Sequence, residues 1–181
     1  NLAPILFFFF SQLAFLSIDG NVVGKQLASE KISLRVRHEN SYVNAVFRDN
    51  VLLNMAYLSG KVTGKEDINW EEIGKPFSYR FALLPGETFA FHDDVLEKYK
   101  NSVAKTTNAN FNFSDGFKSD GYLTGDGVCH LASLIYWVAK NAGLDAYAPT
   151  NHNFTQIPEI DKEYGVAIYK IPGQLSANAV Q

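Results

Sequence analysis

The spacing of apolar residues changes several times along the chain, and each change marks an expected element. Residues Leu2 to Ile18 form an uncharged apolar run that includes four consecutive phenylalanines, Phe7 to Phe10. The run is slightly short of the roughly 20 residues that cross a bilayer. It is expected to be an apolar helix, the core of a signal peptide or an N-terminal anchor lacking its basic start. The alternative is a helix buried in the domain. The chain opens on Asn1 rather than Met, so more sequence is expected before it, and a further strand after Gln181.

Beyond the turn-rich Asp19-Gly20-Asn21, residues Lys31 to Arg37 alternate. Ile32, Leu34 and Val36 fall on one face and Ser33, Arg35 and Arg37 on the other, which predicts a half-buried strand. From Ser41 to Leu58 the apolar positions recur at helical spacing, and Ser59-Gly60 closes the segment. A polar connection follows over 60–76. Pro85-Gly86 predicts a turn and Thr88 to Phe91 a short strand. Val95 to Lys105 is expected to be helical, with Asp93 or Asp94 as N-cap. Positions 106–127 are rich in Asn, Ser, Asp and Gly, a long loop of the kind that usually carries function.

The clearest helix runs from Val128 to Ala142. Leu131, Leu134, Ile135 and Val138 share a face, and Gly143 ends it as the C′ residue. Strands are then expected over Asp145 to Ala148 and Tyr164 to Lys170. Together these elements predict an α+β fold: residues 1–20 as an apolar N-terminal helix, and 21–181 as one domain. In that domain a central helix starting at the cysteine packs on a small, mostly antiparallel sheet.

Composition narrows the function. At 181 residues and 46% hydrophobic, the chain can bury one core. A net charge of −3 with scattered lysines and arginines gives no footprint for nucleic acid. The single cysteine excludes an intrachain disulfide framework and an all-thiolate zinc site. No metal-ligand spacing or phosphate-binding glycine fingerprint is present, and no cofactor is expected.

That cysteine, Cys129, follows the glycine-rich Thr124-Gly125-Asp126-Gly127-Val128 and opens the 128–142 helix. A helix N-terminus presents unpaired N–H groups and partial positive charge, which favour a thiolate. His152 lies 23 positions later, after one helix, a glycine and a short strand. That spacing lets the returning chain bring an imidazole to the sulfur as general base. Glu163 or Asp161 could orient the base, and the amides Asn151 and Asn153 flank it. Asp126, His130, Tyr122 and Asn151 are candidates for substrate contact. The alternative reading leaves Cys129 a small buried hydrophobe, Asp126 a turn former and His130 a cap or surface residue.

The stretches Pro85-Gly86-Glu87-Thr88-Phe89-Ala90-Phe91, Gly121-Tyr122, Gly125-Asp126-Gly127-Val128-Cys129-His130-Leu131 and Asn151-His152, in this order, resemble the VanW family. The likeness covers the second half of the chain, with a core region of roughly 77–175. His130 stands where the family usually has Gln, and Asp126 where it has Gly. The resemblance implies a bacterial protein of the cell envelope, exported or membrane-anchored through residues 2–18. Its partner would be a cell-wall polymer or peptide. A more distant similarity, in the order Gly-Val-Cys, helix, glycine, strand, His, is to transglutaminase-like cysteine enzymes. This implies acyl transfer or hydrolysis with Cys129 as nucleophile, His152 as base and then acid, and Asp161 or Glu163 as orienter. The competing expectation is a non-catalytic envelope-polymer-binding or scaffolding module. In it, Phe111, Phe113, Phe117 and Tyr122 would stack on sugar rings.

Overall fold

The computed structural model describes residues 5–9, 26–92 and 97–168. Five strands and three α-helices are present among them: β1 (Ile5–Phe9), β2 (Gln26–Lys31), α1 (Ser41–Leu58), α2 (Trp70–Ile73), β3 (Tyr79–Ala82), β4 (Thr88–Phe89), β5 (Val103–Lys105) and α3 (Val128–Asn141). The expected mixture of helix and strand is therefore present. Its arrangement differs from expectation in three respects.

First, residues 5–9 are not helical. They form β1, the middle strand of a three-stranded sheet ordered β2-β1-β3. An unbroken apolar run has no period, so it suits a central strand as well as a helix. The rest of the Leu2 to Ile18 run lies outside the described residues, apart from β1 itself. No described helix is long and apolar enough to cross a membrane. Second, the pairing is mixed rather than mostly antiparallel: β1 runs parallel to β2 and antiparallel to β3, and β4 runs parallel to β5. Third, the most enclosed helix is α1. Every residue from Asn50 to Leu58 is buried, whereas α3 leaves one side partly open. α3 packs against both β2 and α1.

Local chemistry explains the helix ends. Asn40 caps α1 by accepting the N–H groups of Tyr42 and Val43. At the far end of α3, Gly143 takes φ +72° at C′, as expected. The Pro85-Gly86 turn closes through the Glu87 N–H to the Leu84 carbonyl, and Gly86 has φ +88°. The expected Val95–Lys105 helix is not formed: a short 3-10 turn spans Glu97–Tyr99 and the chain then extends into β5. Asp93, Asp94 and Val95 lie outside the described residues. The segments expected as strands at 145–148 and 164–168 are irregular, apart from a single bridge between Asn151 and Val166, and 169–170 lie outside the described residues.

The long 106–127 segment is irregular, as expected, yet much of it is core. Phe117 is fully buried, stacks on Tyr57 with ring centroids 6.1 Å apart and meets Phe111 edge-on at 5.6 Å. The Tyr57 hydroxyl donates to the Asp115 carbonyl at 2.9 Å. Asn50, wholly buried on α1, holds both ends of the following stretch. Its amide nitrogen donates to the Lys118 and Asp126 carbonyls at 3.0 and 2.8 Å, and its oxygen accepts the Lys118 N–H at 2.8 Å.

This clamp draws the start of α3 hard against α1. Gly127, the N-cap of α3, has φ +93°, and a Cβ there would lie 2.6 Å from the Phe47 carbonyl oxygen and 2.8 Å from its Cα. Backbone cannot yield as a flexible side chain does, so the site requires glycine. Gly127→Ala is expected to cost more than ~2 kcal/mol in urea unfolding. Gly60→Ala, at φ +73° with open space around it, is expected to cost ~1 kcal/mol, the conformational penalty alone. Equal costs at the two positions would contradict the close approach.

Candidate functional site

The glycine-rich loop delivers Cys129 to the first turn of α3, as its sequence suggests. That turn is already partly satisfied, however. The Val128 and His130 N–H groups donate to the Gly125 and Gly127 carbonyls at 3.1 and 3.0 Å. Gly125 is held as closely as Gly127, since a Cβ on it would sit 2.8 Å from the Phe111 carbonyl. The glycines thus serve the packing of loop against helix.

The Cys129 thiol is engaged with backbone. Its sulfur accepts the Ile168 N–H at 3.3 Å and lies 3.6 Å from the Ile168 carbonyl, to which it donates. One turn further along α3, the Ser133 hydroxyl accepts the Val166 N–H at 2.8 Å and donates to the Cys129 carbonyl at 2.7 Å. Four helical residues advance about 6 Å and two extended residues about 6.6 Å, so the two spacings match. Cys129 and Ser133 therefore act as a ladder edge for residues 166–168, where a neighbouring strand would otherwise supply partners. Burial pushes the thiol pKa up and nearby Asp126 adds to this, while the Ile168 N–H acts in the opposite direction. The sulfur is held mainly as thiol rather than thiolate.

His152 does come back towards the start of α3. Its N–H donates to the Gly165 carbonyl at 3.0 Å, and the Ala167 N–H donates to Thr150 at 3.0 Å. Its ring meets His130, with centroids 6.5 Å apart, and Phe154 at 4.0 Å. Neither hydrogen bond of the Cys129 sulfur involves it. Nδ1 of His152 lies 3.1 Å from the Thr155 carbonyl, which places the proton on Nδ1 and leaves Nε2 as the acceptor. A backbone carbonyl, then, orients this ring. Glu163 and Asp161 are exposed, within or beside a 3-10 turn at Lys162–Tyr164, and neither bonds to His152.

The expected substrate-contact residues scatter. Tyr122 is 92% exposed at the tip of a turn closed by the Ser119–Thr124 bridge. Asn151 is exposed beside the Val166 bridge. Asp126 points back into its own loop and accepts the Asp120 N–H at 3.1 Å; burial raises its pKa. His130 is neither a cap nor a surface residue. It is buried edge-on against Phe47 at 5.2 Å, and its Nδ1 has no partner. Of the aromatics expected to stack on sugars, Phe111 and Phe117 belong to the core, while Phe113 and Tyr122 are exposed.

Sequence reasoning missed Arg37. Alternation placed Val36 inside and Arg37 outside; the order is reversed, with Val36 62% exposed and Arg37 2%. β2 ends at Lys31, and the chain beyond it no longer keeps the strand's two faces. Arg37 Nη2 pairs with Glu159 Oε2 at 3.2 Å, and Glu159 adopts φ +68°. No sequence signal marks this pair, whose members lie 122 positions apart. Among the described residues, no group of three or more His, Cys, Asp or Glu is placed to hold a metal ion.

No family model matches the chain, and no curated protein or solved structure matches it. The functional reading rests on the chain's own motifs and geometry.

The histidines give the site a pH signature. Burial, with the charges of Arg37, His152 and His38, brings the His130 pKa down to about 3 from an ordinary value near 6.5, and burial lowers that of His152. The folded state keeps these rings neutral while the unfolded chain takes up protons. Stability is therefore intact above about pH 6.5 and is lost as pH falls towards 3. His130→Gln is expected to reduce the dependence of unfolding free energy on pH between 6 and 4 by up to ~1.4 kcal/mol per pH unit. An unchanged slope in urea titrations would contradict a buried neutral ring.

Proposed function

We propose that the chain is a VanW-like domain of the bacterial cell envelope and that it acts as a polymer-binding module rather than as a cysteine enzyme. The family part of this reading is supported by the Pro85 to His152 motif order alone. The choice of binding over catalysis is carried by one observation: the only thiol in the chain is committed to the Ile168 backbone, with its pKa raised. A nucleophile needs a lowered pKa and a base within hydrogen-bond reach.

One feature favours the catalytic alternative. The Thr155 carbonyl holds His152 in the tautomer a general base requires. Acyl transfer would then need residues 166–168 to release the sulfur before attack. The binding reading needs no such rearrangement, and it places the domain on the outer side of the membrane, against a cell-wall polymer or peptide.

Alkylation by iodoacetamide across pH, combined with retention on purified sacculi, tests the choice. The expected result is alkylation of the folded protein at least tenfold slower than that of free cysteine at pH 8. Sacculus retention should be equal for wild type and Cys129→Ser, with no released product. Fast alkylation that depends on His152, together with released peptide or glycan fragments, would establish the enzyme instead.

A further inference from the structure

Two stretches carry the Asn-X-Ser/Thr pattern in which an asparagine amide can accept a saccharide: Asn112-Phe113-Ser114 and Asn153-Phe154-Thr155. The pattern alone often arises by chance, so the surrounding structure decides whether either site is usable. It treats the two differently.

Asn112 is half-buried and already employed. Its Oδ1 accepts the Asp115 N–H at 3.1 Å and the Ser114 hydroxyl at 2.7 Å, capping the 3-10 turn at Phe113–Asp115. The two groups that a transferase reads, the amide and the hydroxyl two residues on, are thus tied to each other. The turn is also fixed from outside. Lys65 Nζ donates to the Phe113 carbonyl at 3.0 Å, the Tyr57 hydroxyl donates to the Asp115 carbonyl at 2.9 Å, and Phe117 follows in the core. Presenting Asn112 to an enzyme means breaking this set first.

Asn153 is placed the opposite way. Asn153, Phe154, Thr155 and Gln156 are all exposed, in neither helix nor strand, and Phe154 is 76% accessible. Neither the Asn153 amide nor the Thr155 hydroxyl bonds to a described residue. The segment is nevertheless anchored at its root. His152 is buried, its Nδ1 lies 3.1 Å from the Thr155 carbonyl, and its N–H donates to the Gly165 carbonyl at 3.0 Å. These bonds use only the imidazole and the backbone. The tripeptide is therefore an exposed turn, pinned at its base, with both polar side chains free.

We propose that Asn153 is an N-glycosylation acceptor, and that Asn112, with the same pattern, is not. The transfer forms a bond from Asn153 Nδ2 to the anomeric carbon of a saccharide carried on a lipid diphosphate. The bond from that carbon to the diphosphate oxygen breaks, and the lipid diphosphate leaves with the electron pair. One amide proton passes to a base of the transferase, and no oxidant or reductant takes part. The site rests on the outer-side placement of the domain, since this modification belongs to exported chains.

Incubation of the purified folded protein with a detergent-solubilised oligosaccharyltransferase that reads Asn-X-Ser/Thr, and a chitobiosyl lipid diphosphate as donor, tests it. Peptide mass spectrometry locates the products. Free peptides covering 108–117 and 149–158 give the rate of each site without the fold. Asn153 is expected to react in the folded protein within about threefold of its peptide. Asn112 should react at least about tenfold more slowly than its own peptide, because it must open locally first. Asn153→Gln and Thr155→Ala should each abolish the product at this site and leave the urea midpoint unchanged. Suppression at Asn153 as strong as at Asn112, or a product that persists in Thr155→Ala, would overturn the assignment. The assay uses purified protein, so its failure strikes this site alone. Loss of sacculus retention with Asn153 still modified strikes the envelope reading alone.

Discussion

One buried amide organises this domain. Asn50 lies in the middle of the most enclosed helix and spends its side chain on three backbone groups of a loop some 70 positions away. An isolated polar group at such a depth costs stability, but one with its donors and acceptor all used fixes a single arrangement. Because Lys118 and Asp126 are bound to the same residue, the loop between them is held at both ends. The consequences run in two directions. Gly127 is brought against Phe47, which sets where α3 begins, and Phe117 and Lys118 are set as a wall of a groove beside α1.

The start of α3 shows how one residue pattern can serve two purposes. Glycines, a cysteine at a helix start and a later histidine are what a thiol nucleophile uses, and they are also what close helix packing uses. Distances decide between them here. Cβ positions at Gly125 and Gly127 are blocked by backbone, and the sulfur answers an N–H that would otherwise be unpaired. Ser133 repeats the same service one turn on, so the thiol is one of two matched contacts. His130 completes the packing from the other side, against Phe47 and beside His152.

The elements legible in the sequence were those set by local rules. α1 and α3 follow helical periodicity with recognisable ends, and the Pro85-Gly86 turn follows from its residue types. What was illegible depended on distant partners. The phenylalanine run at Phe7 has no period, so only the neighbouring β2 and β3 make residues 5–9 a strand. Val103 to Lys105 continues a helical pattern but pairs with Thr88 and Phe89 instead. Residues 166–168 read as a strand because they are apolar and β-branched, yet they find α3 side chains in place of a full ladder. His152 does return beside His130 in the first turn of α3, but neither hydrogen bond of the Cys129 sulfur involves it. The sequence could not reveal that the sulfur's partner would be a backbone group 39 positions away.

Native-state amide hydrogen exchange tests the organising role of Asn50 most directly, because the Lys118 N–H is one of its three bonds. If the clamp holds, that amide should exchange only through global unfolding, at the rate of the buried Leu52 and Leu53 amides of α1. The Tyr122 amide, on the exposed turn a few residues away, should exchange orders of magnitude faster. A Lys118 amide exchanging as freely as that of Tyr122 would mean that the loop is not anchored, and the account built on it would fail.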